Sequence, residues 1–353
     1  MRKGRILTVA STAAFVLLTT ALVPTVSAHA AMAPDAGIWS PTGTSTNCPS
    51  SMHLLVPNRS SAYLDAHPED LFSAGQGSTS AAFTQARLRA AAAHVHYLTS
   101  ITCRAHPSTP VLRTTTATSA AATSANWSGY VSLAKGNFLG AEMLWTVPKV
   151  STDASTDAYS SIWPGVGQGV TGADSLIQGG TEQDAHCVLT VCSQTYYPWI
   201  EIVPYESQQE ITNLTIAPNQ EIQTIIEYDH SFGAYAEIDN LTTGVGVYDY
   251  GDFNSSFTGS GSTAEWIVER TEENGKFPPL AKFGTESIAD AEAAEGTSWD
   301  DPKITYPTVD GLKSIAYTMT TCAGTTLATP GTASDSAFTV TWKNKGVNQS
   351  PCS

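Results

Sequence analysis

From about residue 126 to the C-terminus, the chain consists of short alternating segments separated by turn residues. Apolar, β-branched and aromatic residues alternate with polar ones, and Gly, Asn, Asp and Pro lie between the runs. The predicted strands are EMLWTVPKV, PWIEIVP, EIQTIIEYDH, AYAEIDNL, GVGVYDY, AEWIVERT and AFTVTWKN, and DNLTTGVG is a predicted hairpin turn. Because no long helical periodicity follows residue 123, the pattern predicts an antiparallel β-sandwich or barrel.

Residues 1–30 have the features of a secretory signal peptide. Three basic residues precede the apolar run ILTVASTAAFVLLTTALV, and small-residue cleavage sites end at Ala28 or Ala30. No stop-transfer charge cluster follows, and no second apolar run is long enough to span a bilayer. We therefore expect a secreted, extracellular protein that does not interact with a membrane.

The cysteines fit an exported protein, because export permits disulfide bonds. The six cysteines allow fifteen pairings. Proximity in the sequence predicts the pairs Cys48–Cys103, Cys187–Cys192 and Cys322–Cys352. No CxxC motif suggests a zinc site, and we expect neither a metal nor an organic cofactor.

Residues 31–122 differ in composition from the strand-rich part, residues 123–353. This region is rich in Ala, Ser and Thr and holds five of the eight histidines. TQARLRAAAAHVHYL predicts a helix, and PSTPVLRTTTATSAAATSA predicts a linker. We interpret residues 31–122 as a prosegment and linker; a spacer or a weakly folded extra domain is the alternative.

The charge is distributed unevenly along the chain. Residues 1–122 contain eight basic and four acidic residues, whereas residues 123–353 contain nine basic and 28 acidic residues. Such an acidic part does not favour binding to nucleic acid, whose phosphates need Lys or Arg partners. It fits either an acidic medium, in which carboxylates lose their charge, or simply high solubility. Histidines in residues 31–122 could change the attraction between the two regions with pH.

The segment STAEWIVERT carries two glutamates on one face of a predicted strand. Since side chains alternate in a strand, Glu265 and Glu269 share one face, while Trp266 and Val268 share the other. Two carboxylates are costly to bury unless they are hydrogen-bonded. The alternative is a half-exposed sheet on which Arg270 balances their charge.

Several motifs, in order and with compatible spacing, resemble those of the glutamic endopeptidases, the eqolisin or G1 peptidase family. They are TSANWSGYV, LWTVPKV, SIWPGVGQG, SLIQGGTEQD, YYPWIEIVP, STAEWIVERT and LAKFGTESIADAEA, and they cover most of residues 123–353. The resemblance implies an all-β fold, a lectin-like (concanavalin A-like) antiparallel β-sandwich preceded by a signal peptide and a partly helical prosegment. It also implies that SIWPGVGQG forms a tryptophan-containing loop.

Carried over position by position, the resemblance makes Gln178 and Glu269 the catalytic residues. It places Trp163, Trp199 and Glu201 where they line or support the cleft. Fungal members carry an Asp where this sequence has Gly167, and Pro164 is also unusual, so the geometry of this loop is expected to differ.

The implied pair makes chemical sense for amide hydrolysis. Gln178 cannot titrate, but its amide can donate to an oxyanion, a contribution of about 3–4 kcal/mol to the barrier. Glu269 is left as the general base for water and then as the acid for the leaving amine. Because an unperturbed Glu titrates near about 4.3, such a base suits an acidic medium. We therefore expect a secreted, monomeric acid endopeptidase that acts on proteins or peptides and is inhibited or assisted in folding by its own prosegment.

Other functions remain possible from the residues. A glycoside hydrolase could use Glu265 and Glu269, although a retaining pair needs carboxyls about 5–5.5 Å apart and these Cα atoms start about 13 Å apart. A carbohydrate-binding module on the same sandwich is a third possibility. A serine hydrolase is disfavoured because GxSxG is absent. Within residues 123–353, the N-x-S/T glycosylation patterns begin at Asn126, Asn213, Asn240, Asn254 and Asn348.

Overall fold

The computed structural model describes most of the chain after residue 38. The described ranges are 39–57, 83–106, 114–117, 121–133, 137–153, 156–167, 175–189, 191–229, 233–251, 261–299, 301 and 303–352. The predicted signal peptide, residues 1–30, lies outside these ranges. No helix in the described ranges is long and apolar enough to cross a membrane.

The elements before residue 125 are short. They are β1 (Trp39–Ser40), β2 (Thr44–Thr46), β3 (Met52–Leu54), β4 (Val56–Pro57), α1 (Thr84–Ala92), β5 (His96–Tyr97), β6 (Ser100–Ala105), β7 (Thr114–Ala117) and β8 (Ala121–Ser124).

Longer strands follow. They are β9 (Trp127–Leu133), β10 (Asn137–Thr146), β11 (Ser161–Gly167), β12 (Leu176–Val188), β13 (Val191–Val203), β14 (Glu206–Ile211), β15 (Glu221–Asp229), β16 (Gly233–Asn240), β17 (Val245–Gly251), β18 (Thr263–Glu269), β19 (Thr285–Gly296), β20 (Ile315–Thr320), β21 (Thr326–Pro330) and β22 (Phe338–Trp342).

The strands form two packed layers, which we call sheet A and sheet B. Sheet A has the antiparallel order β6-β14-β13-β12-β11-β18-β9-β20, and β8 pairs in parallel with β20. Sheet B has the order β22-β19-β10-β15-β16-β17-β3, also antiparallel. Strand β21 pairs with both β20 and β22 and so joins the two layers. The predicted all-β antiparallel sandwich is confirmed.

The main hydrophobic core lies between the two sheets and determines which face of each strand points away from it. Trp266 and Val268 of β18 face this core, where they meet Trp145 of β10. The indole nitrogens of Trp266 and Trp145 both donate hydrogen bonds: Trp266 Nε1 donates to the Glu142 carbonyl at 2.9 Å, and Trp145 Nε1 donates to Thr181 Oγ1 at 3.1 Å. Alternation therefore directs the other side chains of β18 to the opposite face, which we call the outer face of sheet A.

The seven predicted strands all appear, with boundaries that shift by a few residues. The predicted hairpin is confirmed between β16 and β17, where Gly244 takes a positive φ of 68°. The predicted helix is confirmed but ends at Ala92, because His96–Tyr97 pairs with β17 instead.

The linker prediction for residues 107–125 is wrong in part. Thr114–Ala117 and Ala121–Ser124 are strands that pair with each other, and the second also pairs with β20. The segment lacks apolar periodicity, but threonine favours a strand once an edge is available to pair with.

The three predicted disulfides, Cys48–Cys103, Cys187–Cys192 and Cys322–Cys352, are all present. The first of them lies entirely before residue 125 and connects β6 to the residues that follow β2.

The region before residue 125 packs directly on the sandwich. Its helix α1 carries Arg87, which pairs with Glu227 at 2.8 Å and with Glu237 at 3.8 Å on sheet B. Arg89 of the same helix pairs with Asp290 at 3.0 Å. Strand β3 extends sheet B, and β6 extends sheet A. The described parts of residues 31–353 thus form one compact unit.

Several carboxyl groups are buried in the sandwich, and burial raises their pKa. Desolvation raises the pKa of Glu142 to about 8, and it raises the pKa of Glu286 to about 8 against backbone hydrogen bonds that favour the charged form. Both side chains are almost fully buried. Burying such a carboxyl group costs less free energy when it is protonated, because the neutral form loses less hydration.

These shifts predict a protein that is more stable in acid than at neutral pH. A carboxyl whose folded pKa lies above its unfolded value stabilises the fold below pH 4.5, and this contribution is lost as the pH rises through about 8. Each pH unit between the two pKa values is worth about 1.4 kcal/mol. Calorimetry should show an unfolding temperature that falls between pH 4.5 and 8, and Glu142→Gln should reduce that fall. The exposed Glu221→Gln serves as the control; an unfolding temperature that rises with pH in the wild type would contradict the prediction.

Candidate functional site

The outer face of sheet A carries both predicted catalytic side chains. Strand β11 lies between β12 and β18, and its Gly165 is paired with both Gln178 and Glu265. Four residues earlier on β11, Ser161 is paired with Glu269. Because directly opposed residues in antiparallel strands share a face, Gln178, Glu265 and Glu269 all project from the same side of the sheet.

The Glu269 carboxyl is buried and held by two side-chain donors. Trp163 Nε1 donates to Oε2 at 2.8 Å, and Asn126 Nδ2 donates to Oε1 at 2.9 Å. Only 3% of the residue is exposed, and desolvation raises its pKa to about 7. The N–H groups of Trp163, Trp127 and Asn126 favour the charged form and oppose this rise, while Glu272 adds to it. The carboxyl is thus a proton acceptor or donor whose pKa is set by its surroundings.

The Gln178 amide is also buried and has a defined orientation. Its Nε2 donates to Glu201 Oε2 at 2.7 Å, from the residue directly opposite on β13. Since a carboxylate can only accept, the amide nitrogen of Gln178 must face Glu201. An amide nitrogen carries two hydrogens, so a second donor remains for a ligand on this face.

Trp163 and Trp199 occupy the row of residues between the two polar groups, and Trp127 lies opposite Glu269 on β9. Trp127 and Trp163 meet edge to face, with ring centroids 5.1 Å apart, and Trp199 belongs to the same buried cluster. Trp199 is paired with Gly180, where an added Cβ would lie 2.0 Å from the Ile162 carbonyl oxygen. The same Cβ would be 2.8 Å from the Cβ of Trp163. The absence of a side chain at position 180 therefore makes room for Trp163, the donor to Glu269.

A second buried carboxyl lies beside Glu269 on the same face. Glu182 is paired with Ser161 on the side of β11 that faces away from β18. Its carboxyl accepts hydrogen bonds from Thr271 Oγ1 at 2.5 Å and from Gln208 Nε2 at 3.3 Å. Burial and the charge of Asp184 raise the pKa of Glu182 well above its ordinary value. This part of the face is built for a neutral carboxyl.

The five residues predicted from the sequence lie on one face. Gln178, Glu269, Trp163, Trp199 and Glu201 occupy strands β11, β12, β13 and β18, and all are at least 97% buried.

The predicted loop around Trp163 is wrong. Trp163, Pro164 and Gly167 all lie in the central strand β11. The ladder between β11 and β12 skips Trp163 and Pro164 and resumes at Gly165, because proline has no N–H to donate. At Gly167 an added Cβ would lie 2.4 Å from the Ser175 carbonyl oxygen, so this backbone leaves no space for an aspartate.

Sequence reasoning missed Asn126 and treated it only as a glycosylation acceptor. Its side chain is fully buried and bonded to Glu269, so it is not accessible to a glycosylating enzyme. Asn240 is fully buried as well. The signal for Asn126 was its place within TSANWSGYV, one of the motifs that carried the family resemblance.

Comparisons with known proteins identify a family for most of the strand-rich part. The model of the Peptidase A4 family matches residues 125–342. Aspergillopepsin-2 of Aspergillus niger is 26% identical over 200 residues, which is 51% of this chain and 67% of the relative.

Solved structures of two glutamic peptidases are also similar. A crystal structure of scytalido-glutamic peptidase with a transition state analog inhibitor has a TM-score of 0.51 at 20% identity, and the match covers 62% of this chain and 98% of that one. Aspergilloglutamic peptidase from Aspergillus niger matches at a TM-score of 0.45 and 24% identity, over 53% of this chain and 99% of that one. The first of these likenesses shows a shared fold.

The tight environment of Gly180 generates a prediction. Gly180→Ala should displace the strand or the Trp163 ring and weaken the bond to Glu269, because its Cβ meets a backbone oxygen at 2.0 Å. We expect a lower unfolding temperature and an altered tryptophan fluorescence spectrum. Gly179→Ala, whose Cβ contacts begin at 3.3 Å, is the matched control and should change both much less. Equal effects in the two variants would show that Gly180 has no special role.

Proposed function

The chain belongs to the Peptidase A4 family and is a glutamic-type endopeptidase, and we propose that Glu269 and Gln178 hydrolyse peptide bonds of protein substrates in an acidic extracellular medium. The observation that carries the proposal is their arrangement: both side chains project from the outer face of sheet A, and each is held by its own hydrogen-bond partners. A carboxyl and an amide are the groups that this reaction needs when no side-chain nucleophile takes part.

Glu269 supplies the proton transfers. In its ionised form it takes a proton from a water molecule, which attacks the carbonyl carbon of the scissile bond. The resulting neutral carboxyl then gives its proton to the amide nitrogen as the C–N bond breaks. Hydrogen bonds from Trp163 and Asn126 keep the carboxyl in place during both steps.

Gln178 stabilises the oxyanion that forms when water attacks. One of its two amide hydrogens is engaged by Glu201, which fixes the direction of the other. A fixed donor costs no reorganisation during the reaction, and such donors typically lower the barrier by about 3–4 kcal/mol. Trp163 and Trp199 exclude water around the pair.

The raised pKa of Glu269 supports a latent form. With the carboxyl buried, a pKa of about 7 keeps it neutral in acid, so it cannot activate water in this state. Opening the outer face to solvent would remove part of the desolvation and lower the pKa. Activity in acid therefore requires a change that rehydrates this face.

The region before residue 125 is the part that we propose to move. Strand β6 pairs with the edge strand β14, and Glu210 of β14 accepts from Arg104 at 3.1 Å and contacts His106 at 2.8 Å. The His106 ring stacks on Tyr197 at 4.8 Å. Tyr197 is paired with Glu182 at the border of the candidate site. This region thus reaches the site from the sheet edge, as an inhibitory prosegment would.

The remaining parts of the proposal concern processing and location. Residues 1–30 act as a signal peptide, residues 31–122 as a prosegment and linker, and residues 123–353 as a monomeric peptidase domain. Three disulfides support an extracellular location, because they persist in oxidising compartments. The glycoside hydrolase alternative is not favoured, since Glu265 and Glu269 keep their four-residue spacing on one strand.

Substitution of the proposed pair tests the mechanism. Glu269→Gln removes the proton acceptor and should lower cleavage of an unfolded protein at about pH 4 by roughly 10²–10⁴-fold. Gln178→Ala removes the oxyanion donor and should lower it by about 10²–10³-fold. Glu265→Gln, on the same face, is the control and should retain most activity. Substantial activity in either of the first two variants, with native circular dichroism, would refute the assignment.

Weakening the contact between β6 and β14 tests the role of the prosegment. Glu210→Gln removes the charge that holds Arg104 and His106, so processing in acid should become faster. Because Arg104 is 66% exposed, we expect only a change of about two- to fivefold. The time course of processing is followed by gel electrophoresis and N-terminal sequencing, with Glu221→Gln as the control. Unchanged or slower processing in Glu210→Gln would count against the inhibitory role.

A further inference from the structure

Asn126 is tied to the candidate site through both its backbone and its side chain. Its side-chain Nδ2 donates to Glu269 Oε1 at 2.9 Å, and its carbonyl oxygen accepts from the backbone N–H of Arg270 at 2.7 Å. The residue is fully buried at the start of β9. Backbone and side chain therefore fix Asn126 against the end of β18 that carries Glu269.

Ser124 determines which way the Asn126 amide points. Its hydroxyl donates to Asn126 Oδ1 at 3.0 Å. The same hydroxyl oxygen accepts from the backbone N–H groups of Asn126 at 3.2 Å and Trp127 at 3.1 Å. Since two backbone donors already point at Ser124 Oγ, its hydrogen is left to donate to the amide oxygen. The amide nitrogen is then directed at Glu269, whose ionised carboxyl can only accept.

We propose that Asn126 is a positioning residue for Glu269 and that the Ser124 hydroxyl holds Asn126 in its working orientation. The inference rests on the proposed role of Glu269 as the general base. It adds a residue that does not touch the substrate but determines the orientation and the ionisation of the group that does.

The charges around Glu269 explain why the hydrogen bond from Asn126 matters for the ionisation of the Glu269 carboxyl. The titratable groups on this face are carboxyls and tyrosines, and none of those named here is basic: Glu265 on the same strand, Glu182 and Asp184 on β12, Tyr197 and Glu201 on β13, and Tyr317 on β20. The charge of Glu272, just after β18, also raises the pKa of Glu269. The strands that flank β18 place Ser161 and Trp127 opposite Glu269, and neither carries a charge.

The basic residue next to Glu269 in the sequence does not compensate for these carboxyls. Arg270 follows Glu269 directly but points to the other face, where it donates to the backbone carbonyls of Phe277, Pro278 and Val347. Neutral N–H donors are therefore what favours the charged form of Glu269, and Asn126 supplies one of the two direct hydrogen bonds.

This arrangement also limits where the prosegment can be cut. Ser124 ends β8, which pairs with β20. A cut after Ser124 would separate its hydroxyl from Asn126, whereas a cut before Ala121 would leave the strand and the hydroxyl in place. We therefore expect the mature N-terminus to lie before Ser124.

The pH dependence of kcat/KM tests the role of Asn126. Its acid limb reports the ionisation of the general base in the free enzyme. Asn126→Ala removes a hydrogen bond to the charged form, so the limb should move up by about one to two pH units. Below the limb kcat/KM should fall about 10- to 100-fold, while KM changes little. Asn126→Ser, which keeps a donor, should show a smaller shift, and Ser124→Ala should move the limb in the same direction.

A matched control separates positioning from general damage to the fold. Asn240 is equally buried and, at the end of β16 in sheet B, donates to Thr215 O and Gln220 Oε1. Asn240→Ala should lower the unfolding temperature without moving the acid limb. If Asn126→Ala folds and its acid limb stays at the wild-type pH, the inference is wrong. If Asn126→Ala does not fold, an unchanged acid limb in both Asn126→Ser and Ser124→Ala overturns the inference.

A titration that does not require activity distinguishes this inference from the proposed function. Trp163 donates to Glu269, so tryptophan fluorescence should change with the ionisation of that carboxyl. The transition that is present in wild type and lost in Glu269→Gln identifies the group. Its midpoint should rise in Asn126→Ala and Ser124→Ala; an unchanged midpoint refutes the inference. If the wild type cleaves no protein, the proposed function fails, while this titration still decides whether Asn126 controls Glu269.

Discussion

Burial of the Glu269 carboxyl on a sheet face lined with tryptophan is the constraint on which the rest of the site depends. A carboxylate removed from water is very costly unless donors replace the lost hydration. One donor, Trp163, lies on β11, and the other, Asn126, lies directly before β9; these two strands flank β18 on either side. All three strands must therefore keep their register, because a shift of one residue would turn Glu269 into the apolar core.

Glycines make this register possible. Large rings can follow one another across a sheet only if some neighbouring positions carry no side chain. Gly180 leaves room for Trp163, and Gly129 of β9 is paired with Ile267 in the next strand. At Gly129 the φ of 148° is unfavourable for other residues, and an added Cβ would lie 2.1 Å from the Trp266 carbonyl oxygen. The Glu269 carboxyl is thus positioned by close backbone contacts as much as by hydrogen bonds.

The sequence predicts those parts of the structure that depend on local alternation. The strand AEWIVERT could be assigned, and its two faces separated, because apolar and polar residues follow a period of two. Strand β11 could not be assigned in this way, since Pro164 and two glycines interrupt the pattern and its stability comes from the strands on both sides. The role of Asn126 was equally hidden, because its partner Glu269 is 143 residues away and a lone asparagine before Trp-Ser resembles a surface acceptor. The family resemblance located the pair Gln178 and Glu269, but only the register shows that they share a face.

The cost of burying carboxyl groups also matters at the contact between the N-terminal region and sheet B. Arg87 lies between Glu227 and Glu237. Burial and the charge of Glu237 raise the pKa of the neighbouring Asp239 well above its ordinary value. While α1 is docked, the guanidinium compensates these carboxyls at neutral pH. If the region before residue 125 is released as proposed, these carboxyls lose the guanidinium of Arg87. They must then either ionise without a neighbouring cation or bind protons, which an acidic medium supplies. Release and acidity are then linked, because protons on the carboxyls take over the role of Arg87.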